Sequence, residues 1–242
     1  MLLLGLDTAT RRVGVVLANE HGMLGRVELG GTAETTPPRH AETLAPAIAW
    51  CCERCDVDLA QVSAVAVGIG PGMFTGLRVG VTTAKVLAQS LRIPVIPVPS
   101  LDLLAYPLRY SRRLVVATID ARRHEVYWSI YRQVPGGVQR VSEYELGPPD
   151  DLAAELEARG EDALVCGDGS LRFAEAFAPL GRRVELAGPA HASPSLSALA
   201  ELALARYERE DFCTPAEVVP MYLRQSDAEL AWTRTTWNRK GA

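Results

Sequence analysis

Leu2-Leu3-Leu4-Gly5-Leu6-Asp7 and Leu114-Val115-Val116-Ala117-Thr118-Ile119-Asp120 are the two stretches that decide the fold. Each is a continuous apolar run of strand length, as a strand buried on both faces requires, and each stops at an aspartate. Outward from the first, residues 13–18 and 23–29 read as strands, 39–55 as a helix and 62–69 as a buried strand. A glycine-rich loop, a helix over 75–90, a strand over 95–98 between prolines and a short helix capped by Ser100 follow. Outward from the second, 126–131 alternates as a strand and 137–146 supplies a third. Pro148 and Asp150 open a helix to Arg159, with Leu152 and Leu156 four residues apart. A strand over 163–166, a glycine turn, a short helix over 171–178, a short strand over 184–186 and a helix capped by Ser193 or Ser195 complete the reading.

The order β-β-β-α-β-α therefore occurs twice, each copy opening on a strand that ends in aspartate. Two such halves make the architecture of actin, hexokinase and related ATPases. The expected class is α/β, a duplicated actin-like and ribonuclease H-like fold of the ASKHA superfamily, with two lobes that each hold a mixed sheet and helices. Residues 1–106 are the expected N-terminal lobe and 107–242 the C-terminal lobe, with the final segment packing back on the first. The Pro- and Arg-rich stretch 107–113 marks the boundary. A chain of 242 residues buries a core without disulfides or metal. With 48% hydrophobic and 22% charged residues, disorder is excluded as its main state. A net charge of −4 lacks the basic excess of a protein that grips a phosphate backbone alone. Cys52 and Cys55 have no second pair to complete four zinc ligands, so the five cysteines read as buried thiols in a reducing compartment. Asp7 ends the apolar start, and the longest uncharged apolar run in a helix, 44–52, is nine residues. Neither a leader nor a membrane span is expected, and the expected address is the cytoplasm.

Gly68-Ile69-Gly70-Pro71-Gly72-Met73-Phe74-Thr75-Gly76-Leu77-Arg78 follows a strand and opens a helix, where backbone N–H groups favour an anion. Asp7, Gly70, Gly72 and Thr75 are the candidate anion or nucleotide contacts. The loop lacks the Gly-Lys-Ser/Thr ending of a Walker loop, and a purely structural strand-to-helix turn is the better explanation of it. Asp7 and Asp120 stand where actin-type ATPases place metal- and phosphate-directed acids. Here Asp7 is followed by Thr8-Ala9-Thr10, and Asp120 by Ala121-Arg122-Arg123, without the glycine that lets backbone approach phosphate. His21, His40, His124 and His191 show no metal-ligand spacing, and no Gly-x-Ser-x-Gly elbow exists. No catalytic residue and no metal ligand is assigned.

The helices are more informative. Gly76, Gly80, Ala84 and Ala88 recur every four residues, leaving one helix face nearly bare. The preceding helix has no polar side chain over 44–52, so apolar groups point all round it. One of its faces docks on a sheet; the other, Ala41, Ala45 and Ala49, needs a second helix or another protein. Packing of the two helices on each other alone is the plainer alternative. The sharper expectation is an exposed partner surface built from Ala41, Ala45, Ala49, Gly76, Gly80 and Ala84.

Leu4-Gly5-Leu6-Asp7-Thr8-Ala9-Thr10, Arg39-His40-Ala41-Glu42-Thr43-Leu44-Ala45-Pro46, the block 70–80 with Ala84-Lys85, Asp120-Ala121-Arg122-Arg123-His124-Glu125-Val126-Tyr127 and Pro220-Met221-Tyr222-Leu223-Arg224 together resemble the bacterial TsaB family over essentially the whole chain. The resemblance implies a non-catalytic subunit for making threonylcarbamoyladenosine (t6A) beside the anticodon of tRNA. It implies pairing with the catalytic subunit TsaD, joined by the small ATPase TsaE, with ATP and metal on those partners and none of its own. tRNA would be reached indirectly, and a homodimer could use the same helices. The catalytic relative carries a metal-binding His-x-x-x-His after the strand that here ends Val98-Pro99; the matching positions are Ser100 and Leu104, which cannot ligate metal as imidazole does. On this expectation a large residue at Gly80 or Ala84 weakens TsaD binding while the monomer stays folded. The alternative reading is a stand-alone actin-like ATPase or kinase, and a peptidase-like metalloenzyme is a third. The basic tail over 233–242 reads as a frayed terminus or a tRNA contact.

Overall fold

The computed structural model describes residues 1–30 and 39–224, so the basic tail lies outside the described residues. Strands β1 (Leu2–Asp7), β2 (Val13–Asn19) and β3 (Gly22–Leu29) form a meander, followed by α1 (His40–Arg54), β4 (Ala64–Gly68), α2 (Phe74–Leu91), β5 (Val95–Val98) and α3 (Ser100–Ala105). The five strands make one sheet in the order β3-β2-β1-β4-β5. β1 pairs antiparallel with β2 and parallel with β4, with Leu4 opposite Val65.

The second half repeats this plan. β6 (Leu114–Arg122) and β7 (Glu125–Val134) form a long hairpin, followed by β8 (Gly137–Arg140), β9 (Glu145–Gly147), α4 (Pro149–Arg159) and β10 (Ala163–Cys166). Short helices α5 (Asp168–Arg172) and α6 (Ala174–Phe177), strand β11 (Val184–Leu186) and helix α7 (Leu196–Glu208) follow. The second sheet has the order β11-β10-β6-β7-β8, with β9 also on β7. Two mixed sheets with equivalent element order establish the duplicated actin-like class.

The structure corrects three details of the sequence reading. The single third strand over 137–146 is two strands, because the ten-residue β7 offers its edge to β8 at one end and to β9 at the other. The Ser142 hydroxyl spans the break by accepting the Ile130 N–H. The helix read as 171–178 starts at Asp168 and breaks at Phe173. Ser100 does not cap α3; it is the first helical residue, and its hydroxyl bonds elsewhere.

Both faces of the first sheet are covered. α1 and α2 bury Leu44, Ile48, Val81 and Ala84 against Leu4, Leu6, Val65 and Val67. On the opposite face α7 lays Leu196, Leu199 and Ala203 over Leu3, Val16 and Ile96. A Cβ at Gly14 would collide with Leu196, and one at Gly5 would collide with Val16 and crowd Leu199, so α7 lies close where those positions carry no side chain. The last described stretch also lies on this lobe: Cys213 bridges Val95, Lys85 Nζ donates to the Val218 carbonyl, and the Met221 N–H donates to the Ile69 carbonyl. α3 meanwhile packs Leu101, Leu104 and Ala105 on the second sheet at Val115, Ala117 and Ile119. Each sheet is thus completed by a helix from the other half of the chain. Among the described residues, no helix is long and apolar enough to cross a membrane.

Candidate functional site

The turn after β1 and the end of β6 line one cavity between the two halves, with Thr10 and Arg12 from the first and Asp120 and Arg122 from the second, and strand ends are where open α/β sheets place ligands. At the first end, Asp7 is buried, with 4% of its surface exposed. Its Oδ1 accepts the Ala9 N–H at 3.2 Å and its Oδ2 the Ser100 hydroxyl at 3.2 Å, while that hydroxyl accepts the Gly70 N–H. Burial pushes the Asp7 carboxyl up to about 6, against the bonds from Ala9 and Ser100. A carboxylate so enclosed anchors the loop over 68–72 to the end of its strand.

The glycine loop closes the same space from the other side. The Met73 N–H donates to the Ala9 carbonyl at 2.7 Å, and Thr8 Oγ1 donates to the Gly76 carbonyl at 2.8 Å. A Cβ at Gly72 would strike the Ala9 carbonyl, one at Gly76 the Thr8 carbonyl, and one at Gly80 the Thr8 hydroxyl. His40, buried at the start of α1, meets the Thr10 carbonyl through Nε2 at 2.7 Å. Asp7 and Gly70 are therefore brought together through Ser100, and Gly72 lies against Ala9; Thr75 is exposed on the first turn of α2. The turn after β1 and the glycine loop are thus packed on one another, with the Ala9 carbonyl against Gly72 and the Thr8 carbonyl against Gly76.

The second strand end is charged rather than closed. The Arg122 N–H donates to Asp120 Oδ1 at 2.9 Å, and the guanidinium groups of Arg122 and Arg172 lie 3.6 and 3.5 Å from Asp120 Oδ2. The Asp120 N–H donates to Asp168, whose carboxyl desolvation pushes up to about 6. Arg122, Arg123 and His124 all have positive φ, at 63°, 54° and 63°. Between this turn and the start of α2 is a cavity of about 480 Å³ whose lining includes Phe74, Arg78, Asp120, Arg122, Arg123 and Tyr222. The arginines are legible in the sequence as a poor phosphate loop. Phe74 and Tyr222 are not legible as a pair, because no spacing links residues so far apart.

The helix stripe divides differently from the sequence reading. Gly76, Gly80 and Ala84 are buried inside their own lobe, against Thr8 and the sheet, and they are not a surface. Ala41, Ala45 and Ala49 are exposed on α1. Beside them Trp50 is 53% exposed, and Val86 on α2 is 59% exposed. An exposed apolar strip does stand on α1, while the exposed side of α2 is polar apart from Val86. Elsewhere, Ser100 and Leu104 are buried, and Cys51, Cys52 and Cys166 are buried thiols; burial pushes Cys51 and Cys166 up to about 12. His21 is exposed, and His124 packs edge-on to Phe173. Among the described residues no three His, Cys, Asp or Glu side chains gather as metal ligands would.

A family model described as "TsaD: tRNA N6-adenosine threonylcarbamoyltransferase" matches residues 30–232. The tRNA threonylcarbamoyladenosine biosynthesis protein TsaB of Bacillus subtilis (strain 168) is 30% identical over 233 residues, covering 96% of this chain and 98% of its own. The solved structure of YeaZ from Pseudomonas aeruginosa superposes with a TM-score of 0.76 at 30% identity, covering 92% of this chain and 99% of that one. A ROK hexokinase from Thermus thermophilus matches with a TM-score of 0.50 at 14% identity, covering 86% of this chain and 100% of its own, a likeness of fold alone. Matches of full length to proteins built on these two lobes place the chain: it belongs to the TsaB family.

Proposed function

We propose that the chain is a non-catalytic subunit for t6A synthesis on tRNA, docking on the catalytic TsaD subunit through the outer face of α1 and α2. TsaE joins the assembly, the site of action is the cytoplasm, and ATP and metal sit on the partner subunits. The observation that carries this reading is the contrast within one lobe. The loop where an actin-like ATPase would receive phosphate is filled by Gly72 and Gly76, while Ala41, Ala45, Ala49 and Trp50 stay outside the core. Burying ~800 Å² per partner on such a face is ordinary for a stable complex. A second copy of the chain can use the same face when TsaD is absent.

The test is co-purification with TsaD followed by a tRNA modification assay with each subunit omitted in turn. The expected result is a stable complex and loss of t6A whenever this chain is left out. Full t6A formation without it, or tight ATP binding by the pure chain in calorimetry, would overturn the reading.

A further inference from the structure

We propose that the mouth of the interlobe cleft binds unpaired ribonucleotides of an RNA, with a base on the Phe74–Tyr222 aromatic pair and phosphates on Arg122 and Arg123. The inference deepens the t6A reading and rests on it, giving this subunit direct contact with the RNA rather than contact only through its partner.

Three observations converge on that ligand. First, the local charge is opposite to that of the whole. Among the described residues, the cavity is lined by Arg78, Arg122, Arg123 and Arg224 against the single acid Asp120, on a chain of net charge −4. Second, two aromatic rings and a guanidinium group are gathered at its rim. The Phe74 and Tyr222 rings are 5.0 Å apart, the Arg78 guanidinium is 3.9 Å from the Phe74 ring centre, and Arg78 Nε donates to the Tyr222 hydroxyl at 3.3 Å. Tyr222 is nonetheless 42% exposed. The two rings are tilted 37° to one another, and an exposed aromatic ring beside arginines is what unpaired bases and their phosphates bind, because every base has a flat face and every linkage a negative charge. Third, Arg122, Arg123 and His124 hold three successive left-handed conformations, which side chains with a Cβ adopt at a cost. Arg122 and Arg123 line the same cavity as the aromatic pair.

A free nucleoside triphosphate is disfavoured by the same geometry. Its phosphates would need the first loop, which Ala9, Gly72 and Gly76 close against one another. A strand crossing the mouth needs only the rim.

The test is fluorescence anisotropy with a labelled anticodon stem-loop RNA, titrated with the full chain alone and in complex with TsaD, across a salt series. Arg123→Glu and Tyr222→Leu are each expected to weaken RNA binding about tenfold. Arg123→Glu should also lower the slope of log affinity against log salt by about 0.7, because one phosphate fewer is neutralised, whereas Tyr222→Leu should leave the slope unchanged. Thermal melts and co-purification of each variant with TsaD report folding and docking separately. Variants that dock normally and bind RNA as tightly as the parent overturn the site and leave the t6A reading standing. Absence of RNA binding by the parent complex, or complete displacement of RNA by ATP, also overturns the site. Failure of the parent chain to bind TsaD overturns the t6A reading itself.

Discussion

Thr8 and Asp7 occupy adjacent positions and do different work. Thr8 is fully buried and lies against α2 at both Gly76 and Gly80, so its carbonyl and hydroxyl fix how near that helix comes. Gly80→Val is expected to destabilise the protein by about 1–3 kcal/mol through overpacking, read as a lower urea midpoint. Asp7 makes stability depend on pH. Its carboxyl sits at about 6 in the folded chain against an ordinary 3.8. Between about pH 4 and about pH 6 the folded protein therefore holds a proton that the unfolded chain has released, and stability falls as pH rises through that window. Asp168 adds to the fall for the same reason. His40 acts in the opposite sense, since burial holds it below its ordinary 6.5 and acid favours the unfolded chain. Asp7→Asn keeps an acceptor for the Ala9 N–H, so the gap between urea midpoints at about pH 4.5 and about pH 6.5 should shift in the variant by the Asp7 contribution. An unchanged gap would refute that assignment. The aspartate at the strand end is legible in the sequence. Its partner Ser100 is not, because it is 93 residues away and reaches Asp7 only through the fold.

At the scale of elements, spacing shows which residues share a helix face but not which neighbour that face meets. Gly76, Gly80 and Ala84 do share a face, and its two glycines meet the chain's own β1 loop at Thr8. The exposed side is readable from α1, where uninterrupted apolar residues exceed what one sheet can cover. The two faces predict opposite behaviour. Ala45→Arg places a charge on an exposed position and should leave the melting temperature unchanged while abolishing capture of TsaD, measured by co-purification. Gly80→Val should lose capture only in proportion to lost folding. If Ala45→Arg binds TsaD normally, this face is not the docking surface. The repeat of element order is legible for a related reason: it follows from apolar runs and turns local to each segment. The cleft's aromatic pair joins α2 to a stretch near the end of the described chain, beyond the reach of any local pattern.

Across the whole molecule the halves are interlocked. α7, from the second half, covers Leu3, Val16 and Ile96 of the first sheet, while α3, from the first, covers Val115 and Ile119 of the second. Leu199 is fully buried where α7 meets the sheet, and Leu199→Ala is expected to cost about 2–5 kcal/mol, measured by urea unfolding. The loss should appear in one cooperative transition rather than in one lobe alone; two separated transitions would show that the exchange of helices does not couple them.

That exchange also sets a timetable for the ribosome. Five strands of the first sheet are made within the first 98 residues, yet the helix that covers their second face ends at Glu208. With chains extended at ~5–20 residues per second, an apolar sheet face waits several seconds or more for its cover. A nascent chain of this design needs shelter during synthesis in proportion to how late its last helix is translated, and slowing translation between the two should raise aggregation without altering a single native contact.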